Sequence, residues 1–223
     1  MQACCVLFSR NIFSTNSKTR IRDSGNYSEN FINQLHTEMV LQTLETLNSH
    51  PEITLYGCWR SNLSKAEESL LSNQFPRIYN LVQTGNSFSE RFQNALLMLK
   101  KLSPNHSILI TGSDCPYLTV SVLQDAISNL NEGKIVIGPD SDNGFYLIAF
   151  PVNKQILDFE EVFKAENQIE SICKNYADED LHLLNSLADI DTSEDLEKFK
   201  SYIKSKEVAD VLKPSRFLKF FGS

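Results

Sequence analysis

Four polar segments of this sequence hold side chains that could do chemistry, and three of them directly follow a short apolar run. Gly112-Ser113-Asp114-Cys115-Pro116 comes after Ser107–Thr111 (SILIT). Pro116 cannot donate to a continuing ladder, so the run must stop and present Asp114 in a loop. A carboxylate there suits Mg²⁺ or Mn²⁺ bridging to diphosphate oxygens, because Mg²⁺ takes one or two carboxylates and keeps waters. It equally suits a cap for the following turn.

Gly138-Pro139-Asp140-Ser141-Asp142-Asn143-Gly144-Phe145-Tyr146 lies between two apolar runs. Its composition is that of a turn. It is also that of a substrate loop, in which Asp142 would be a general base or would anchor a hydroxyl. Asp189-Ile190-Asp191-Thr192-Ser193-Glu194 reads as an acidic helix start with Asp191 as N-cap, or as the source of a second metal carboxylate, Asp189 or Asp191. Arg10, Lys18, Arg20 and Arg22 form the one local basic cluster near a strand end. They suit phosphate oxygens, or else a solvated loop. G-x-x-x-x-G-K-[ST], G-x-G-x-x-G after a strand, H-E-x-x-H and G-x-S-x-G are all absent from the sequence. His36, His50, His106 and His182 show no metal spacing, and Cys115 reads as a packed thiol beside a carboxylate that disfavours its thiolate.

Alternating strands and helices must position these groups. Strands are predicted at Cys4–Phe8, Ile53–Tyr56, Ile78–Val82, Ser107–Thr111, Lys134–Ile137, Phe145–Phe150 and Leu181–Leu184. Helices are predicted from Phe31 to Leu47, Leu63 to Phe75, Ser89 to Leu102, Thr119 to Leu130, Glu160 to Tyr176 and Asp191 to Ile203, with a long loop from Arg10 to Tyr27. The pattern is α/β, with a parallel first half and a mixed sheet after Gly133, read as one domain over 1–205. Ligands of such a sheet bind at the carboxyl ends of strands, which selects the residues after Phe8, Val82, Thr111 and Ile137. The basic, aromatic tail over 206–223 suits docking of a terminal segment, with peripheral membrane contact as the other reading.

Composition narrows the class. Lys+Arg 21 against Asp+Glu 28 gives −7, which argues against a broad nucleic-acid surface. Five cysteines without a C-x-x-C pair fit a reducing compartment, and MQACCVLFSR lacks the marks of a signal peptide. With no apolar run near the ~20 residues of a membrane span, the expectation is a cytoplasmic protein.

Together these segments resemble the glycosyltransferase-A-like transferases known as the radical-SAM/selenodomain-associated type, a domain-of-unknown-function family related in fold to molybdenum-cofactor guanylyltransferase-like nucleotidyltransferases. The resemblance runs from Cys4 to about Phe199 and is strongest from Ile108 to Ala149. Lys18-Thr19-Arg20, Gln83 with Glu90-Arg91, and Asp189-Ile190-Asp191-Thr192 support it.

It implies a GT-A, nucleotide-diphospho-sugar transferase-like fold: a Rossmann-like mixed sheet with helices on both faces. Asp114 would hold the divalent metal, with Asp191 or Asp189 as late partner. Arg10, Lys18, Arg20, Gln83 and Arg91 would bind nucleotide and phosphate. Asp142, Asn143, Gly144 and Tyr146 would face the acceptor. The implied activity is metal-dependent transfer from a nucleotide-activated donor, a nucleotide sugar first and a nucleoside triphosphate second. The chain departs from the resemblance where Arg10–Ser17 carries no proline or glycine and where Asn143 replaces a glycine. A loop without glycine cannot bring its backbone as close to a diphosphate. The third reading is therefore a non-catalytic nucleotide-binding or interaction protein.

Overall fold

The computed structural model describes residues 3–205 and 213–222. Its sheet is built on β1 (Ala3–Ser9), whose seven residues are all buried. Successive side chains of a strand point to opposite faces, so β1 feeds two cores. Cys5 and Leu7 join Leu44 of α2 (Glu29–Asn48), Leu71 of α3 (Lys65–Gln74) and Leu123 of α5 (Val120–Asn131) on one face. Cys4, Val6 and Phe8 join Leu96 of α4 (Phe88–Leu102), Phe159 of α6 (Phe159–Lys164) and Ile172 of α7 (Gln168–Cys173) on the other. The result is a sheet with helices on both faces.

Seven strands form that sheet. The others are β2 (Ile53–Trp59), β3 (Tyr79–Val82), β4 (Ser107–Thr111), β5 (Ile135–Pro139), β6 (Phe145–Phe150) and β7 (Leu181–Leu183), in the order β3-β2-β1-β4-β6-β5-β7. β1 pairs in parallel with both β2 and β4, while β6 is antiparallel to β4 and β5. The chain therefore leaves β1 in one direction and returns on its other side at β4. Between β1 and β4 lies the topological switch point, where an open α/β sheet has its ligand crevice. Because β6 runs backwards, its first residue, Phe145, comes to that same end.

The predicted elements fall in place, with four differences. The segment expected as loop from Arg10 to Tyr27 contains a short helix, α1 (Thr19–Asp23), entered through Lys18 in the left-handed region (φ 53°). Strand β2 continues to Trp59 because Leu7, Phe8 and Ser9 of β1 remain available to pair with it. The helix expected from Glu160 to Tyr176 is two, α6 and α7. Ala165 is extended, and the Asn167 side chain caps a new start by accepting from the Glu170 N–H. The N-cap of α8 (Ser193–Lys204) is Thr192 rather than Asp191, with Asp195 returning a bond to the Thr192 N–H as a capping box. That leaves Asp191 outside the cap.

Of the tail, 206–212 and 223 lie outside the described residues, and Ser215–Gly222 form α9. Phe217 is fully buried against Phe199 of α8, and Arg216 pairs with Glu38 and Glu45 of α2. No helix among the described residues is long and apolar enough to cross a membrane.

Glu67, near the start of α3, is a buried carboxylate with a structural task. It accepts from the Ser64 N–H at 2.8 Å and from the Phe13 N–H at 2.9 Å, so one side chain caps a helix and holds the loop after β1. Burial pushes its pKa up, but these bonds and the Ser64 hydroxyl outweigh burial and hold it below the usual carboxylate range. A group whose folded pKa is depressed adds stability above its unfolded pKa and loses it as pH falls through the folded value. Glu67→Gln should therefore cost about 1–2 kcal/mol at pH 7. In urea titrations its difference from wild type should shrink as pH falls below ~4.3, the ordinary glutamate value. A difference that stays constant with pH would show that the charge has no part.

Candidate functional site

A cleft of about 350 Å³ opens at the switch point, between the ends of β1, β2 and β4. Ser9 and Ser113 share a buried hydroxyl contact of 3.0 Å on its floor, which holds the two strand ends together. The loop after β1 is fastened by side chains. Asn11 accepts from the Ser61 N–H, the carbonyl of Asn11 contacts Nε2 of His36 at 3.0 Å, and Thr37 donates to the carbonyl of Ile12. Burial lowers the His36 pKa, although the Asn11 carbonyl works against this. The loop is thus anchored from outside, by Ser61 after β2 and by His36 and Thr37 of α2.

One wall is a charge cluster. The Lys18 ammonium, on a side chain only 3% exposed, lies 2.6 Å from Asp114 and 3.7 Å from Asp191 and donates to the carbonyl of Ile190 at 2.6 Å. Arg20, mostly exposed, reaches Asp191 at 3.3 Å. The Ile190 N–H donates to the carbonyl of Asp114, which ties the late acidic segment to the end of β4. Partial burial would raise the Asp114 pKa, but the adjacent Lys18 charge and hydrogen bond prevail and keep it below the ordinary range. Asp189 goes the other way. Burial first, then the charges of Asp191 and Asp140, push it up to about 6.

A second group in the cleft is different in kind. Arg10, Arg60 and Arg91 line it too, and among the described residues no carboxylate lies within ion-pair distance of any of them. Arg91 donates to the carbonyl of Asn86, while its Nε is buried without a partner. Burial, then the charges of Arg60 and Arg10, lower its pKa, so the three cations are close enough to repel. Gln83 also lines the cleft and donates to the carbonyls of Ser9 and Cys58, which joins the ends of β1 and β2.

Of the acceptor-side candidates, Tyr146 lines a second cavity beside the cleft. Its ring lies over Gly138, where a Cβ would come within 2.4 Å of it. Asp142 and Asn143 are exposed and line neither cavity. Asn143 adopts φ 64°, the left-handed conformation that asparagine tolerates, so it can stand for a glycine. Asp140 organises the loop by accepting from the N–H groups of Asp142 and Gly144, both at 2.8 Å. Gly144 is required there, since a Cβ would meet the other Asp140 oxygen at 2.4 Å. The carboxylate of this loop that faces a cavity is Asp140.

Arg60, His36 and Asp140 are the site residues that sequence reasoning missed. Arg60 was legible in principle, as the residue after β2, had that strand been extended beyond Tyr56. For a metal, the donor set is small. Among the described residues no group of three or more possible ligands stands together. An Mg²⁺-like ion held by Asp114 with Asp191 or Asp189 would draw further ligands from water and substrate phosphate, and it would have to displace the Lys18 ammonium that now lies against Asp114 and Asp191.

The model of the family described as "Uncharacterized protein conserved in bacteria (DUF2064)" matches residues 40–165. No curated protein matches the sequence. Among solved structures, a Desulfovibrio desulfuricans G20 protein described as a nucleotide-diphospho-sugar transferase is similar at TM-score 0.77 and 20% identity, over 99% of this chain and 94% of that one. A cytidylyltransferase from Leptospira borgpetersenii is similar at TM-score 0.55 and 14% identity, over 100% and 94%. The 4-diphosphocytidyl-2C-methyl-D-erythritol synthase of Anaerococcus prevotii also has TM-score 0.55 and 14% identity, over 92% and 96%. These likenesses establish the fold as nucleotide-diphospho-sugar transferase-like.

Proposed function

The chain belongs to the DUF2064 family, and from that premise we propose that it is a transferase whose cleft binds a nucleotide-activated donor, with a nucleotide sugar as the first candidate. The observation that carries this reading is the meeting of two charge groups at the switch point. Arg10, Arg60 and Arg91 have no carboxylate within ion-pair distance among the described residues and can face an anion, and Asp114 and Asp191 line the same cleft. A diphosphate between them would meet cations directly and Asp114 through a divalent ion. That ion would neutralise charge developing on the leaving diphosphate. The acceptor oxygen would form a bond to the anomeric carbon as the bond to the nucleoside diphosphate breaks, with the hydroxyl proton passing to a carboxylate.

Asp189 and Asp140 face the second cavity beside Asp114, and so stand nearer an acceptor there than Asp142 does. Asp189→Asn should lower turnover by ~10²–10⁴, and Asp142→Asn should stay within a few-fold of wild type. The reverse order in steady-state assays would restore Asp142 as the base. The second reading, nucleotidyl transfer from a triphosphate with pyrophosphate leaving, gains from Arg60. Its charge makes the cleft more basic than the loop after β1 alone.

Thermal shifts with nucleoside diphosphates, triphosphates and nucleotide sugars, with and without Mn²⁺, test these readings. A ligand at 100 times its dissociation constant adds ~2.7 kcal/mol, well within reach of a melting scan. Larger shifts with sugar nucleotides favour the first reading and larger shifts with triphosphates the second. No shift with any nucleotide would favour a non-catalytic protein.

A further inference from the structure

Beyond Asp114 the cleft adjoins a second cavity of about 180 Å³, and the two share Phe8 and Phe88 as a dividing wall. The lining of this cavity contains no cation. Its wall is a set of phenylalanines from four separate elements: Phe8 of β1, Phe88 and Phe92 of α4, Phe145 of β6, and Phe163 of α6. They pack against each other, with Phe163 at 5.0 Å from Phe88, 5.3 Å from Phe92 and 5.8 Å from Phe145 between ring centroids. The polar side chains among them are already engaged. The Thr111 hydroxyl donates to the Tyr146 carbonyl at 2.7 Å, and the Tyr146 hydroxyl donates to the Asn185 carbonyl at 3.2 Å. The remaining polar groups are the Cys115 thiol and three carboxylates: Asp114, paired with Lys18, Asp140, which accepts two backbone N–H bonds, and Asp189.

This distribution selects among acceptors. A polyhydroxylated sugar entering here would lose water from several hydroxyls and find partners for few of them, which is costly. An anionic acceptor would face Asp140 and Asp189 beside the Lys18-paired Asp114 and be repelled. A ring suits both the walls and the volume, since an apolar cavity of ~150 Å³ holds benzene. We propose that this cavity receives a ring-sized apolar group of the acceptor, so that the acceptor is a small, uncharged alcohol carrying an aromatic or compact aliphatic group. The term acceptor rests on the transferase reading above; the affinity of the cavity for a ring does not.

The test is a ¹⁹F NMR titration of the full chain with 4-fluorobenzyl alcohol, beside 4-fluorobenzoate, and with glucose as competitor. The alcohol should bind saturably, roughly in the millimolar range for so small a ligand, the acid at least tenfold more weakly, and glucose should not displace the alcohol. Two variants locate the binding. At Gly112, which lines the cavity, a Cβ meets nothing nearer than the Asp114 nitrogen at 4.0 Å, so Gly112→Leu can fill the space. Phe163→Ala removes a wall. Both should weaken the alcohol at least tenfold while the variants melt cooperatively. No saturable response, or a response unchanged in whichever variant folds, would overturn the proposal, as would preference for glucose or the acid. Adding a nucleoside diphosphate to the same wild-type sample separates the two ideas. A ring response without a diphosphate response would sink the transferase reading and leave the cavity assignment standing; a diphosphate response without a ring response would do the opposite.

Discussion

Lys18→Met should be among the most damaging single changes in this protein, lowering both stability and nucleotide affinity. The Lys18 side chain is almost fully buried, and its ammonium contacts Asp114, the Ile190 carbonyl and, more distantly, Asp191. Removing one partner from a fully buried pair costs ~3–5 kcal/mol. Here the Asp114 side chain is 54% exposed and can recover hydration, so the expected loss is smaller, about 1–3 kcal/mol. The loss belongs to neutral pH. The depressed Asp114 pKa contributes stability above the ordinary aspartate value, which disappears as pH falls through the folded one. Affinity for a nucleoside diphosphate should fall more than tenfold. Binding of Mn²⁺ alone should strengthen, because two carboxylates lose the cation that now neutralises them. Urea titration at pH 7 and a Mn²⁺ titration of both proteins check this. Unchanged stability would mean that the buried pair is incidental, and weaker Mn²⁺ binding would mean that Lys18 orients the carboxylates rather than competing for them.

Arg60→Ala should behave in the opposite way, with affinity lost and stability kept. Arg60 lies in the cleft with Arg10 and Arg91, with no carboxylate within ion-pair distance among the described residues, and it raises the cost of charging Arg91. Its removal relieves repulsion, so the melting temperature of the ligand-free protein should hold or rise slightly. A charge-assisted hydrogen bond to phosphate is worth ~1.5–3 kcal/mol, which converts to about 10- to 150-fold in affinity. The wild-type affinity should also weaken with added salt, and less steeply in the variant. Isothermal titration at two ionic strengths reads both effects. An affinity unchanged by Arg60→Ala would place the phosphates elsewhere, or show that the arginine is merely solvated.

These two residues also mark where the sequence could and could not be read. Strands such as Ser107–Thr111 and Phe145–Phe150 were legible to the residue, because a fully buried strand in a mixed sheet is a continuous apolar run. The helix caps at Thr119 and the late acidic segment were visible in outline, with Thr192 displacing Asp191 as cap because Asp195 completes a capping box with it. Lys18 was legible as a phosphate candidate but not as a buried side chain. Its partners, Asp114 and Ile190, are far away in sequence and meet it only through the fold. The aromatic wall of the second cavity was invisible for the same reason. Each phenylalanine reads locally as core, and only the backward run of β6 brings Phe145 to the end where Phe8 and Phe88 stand. Asp142 sits in an acidic, glycine-flanked loop, and the sequence does not tell which of its carboxylates bonds the loop's own N–H groups and lines a cavity; in the structure it is Asp140.

On the proposed reading, the cleft at the ends of β1, β2 and β4 holds the diphosphate of a nucleotide between its arginines and Asp114. A crystal structure with a nucleoside diphosphate and Mn²⁺ tests it most directly. Phosphate oxygens should lie within ~2.7–3.2 Å of the Arg60 and Arg91 guanidinium groups, with anomalous density for Mn²⁺ beside Asp114 between the phosphates and the carboxylates. A diphosphate bound away from Arg60 and Arg91, or a crystal at saturating nucleotide with this cleft holding only water, would contradict it.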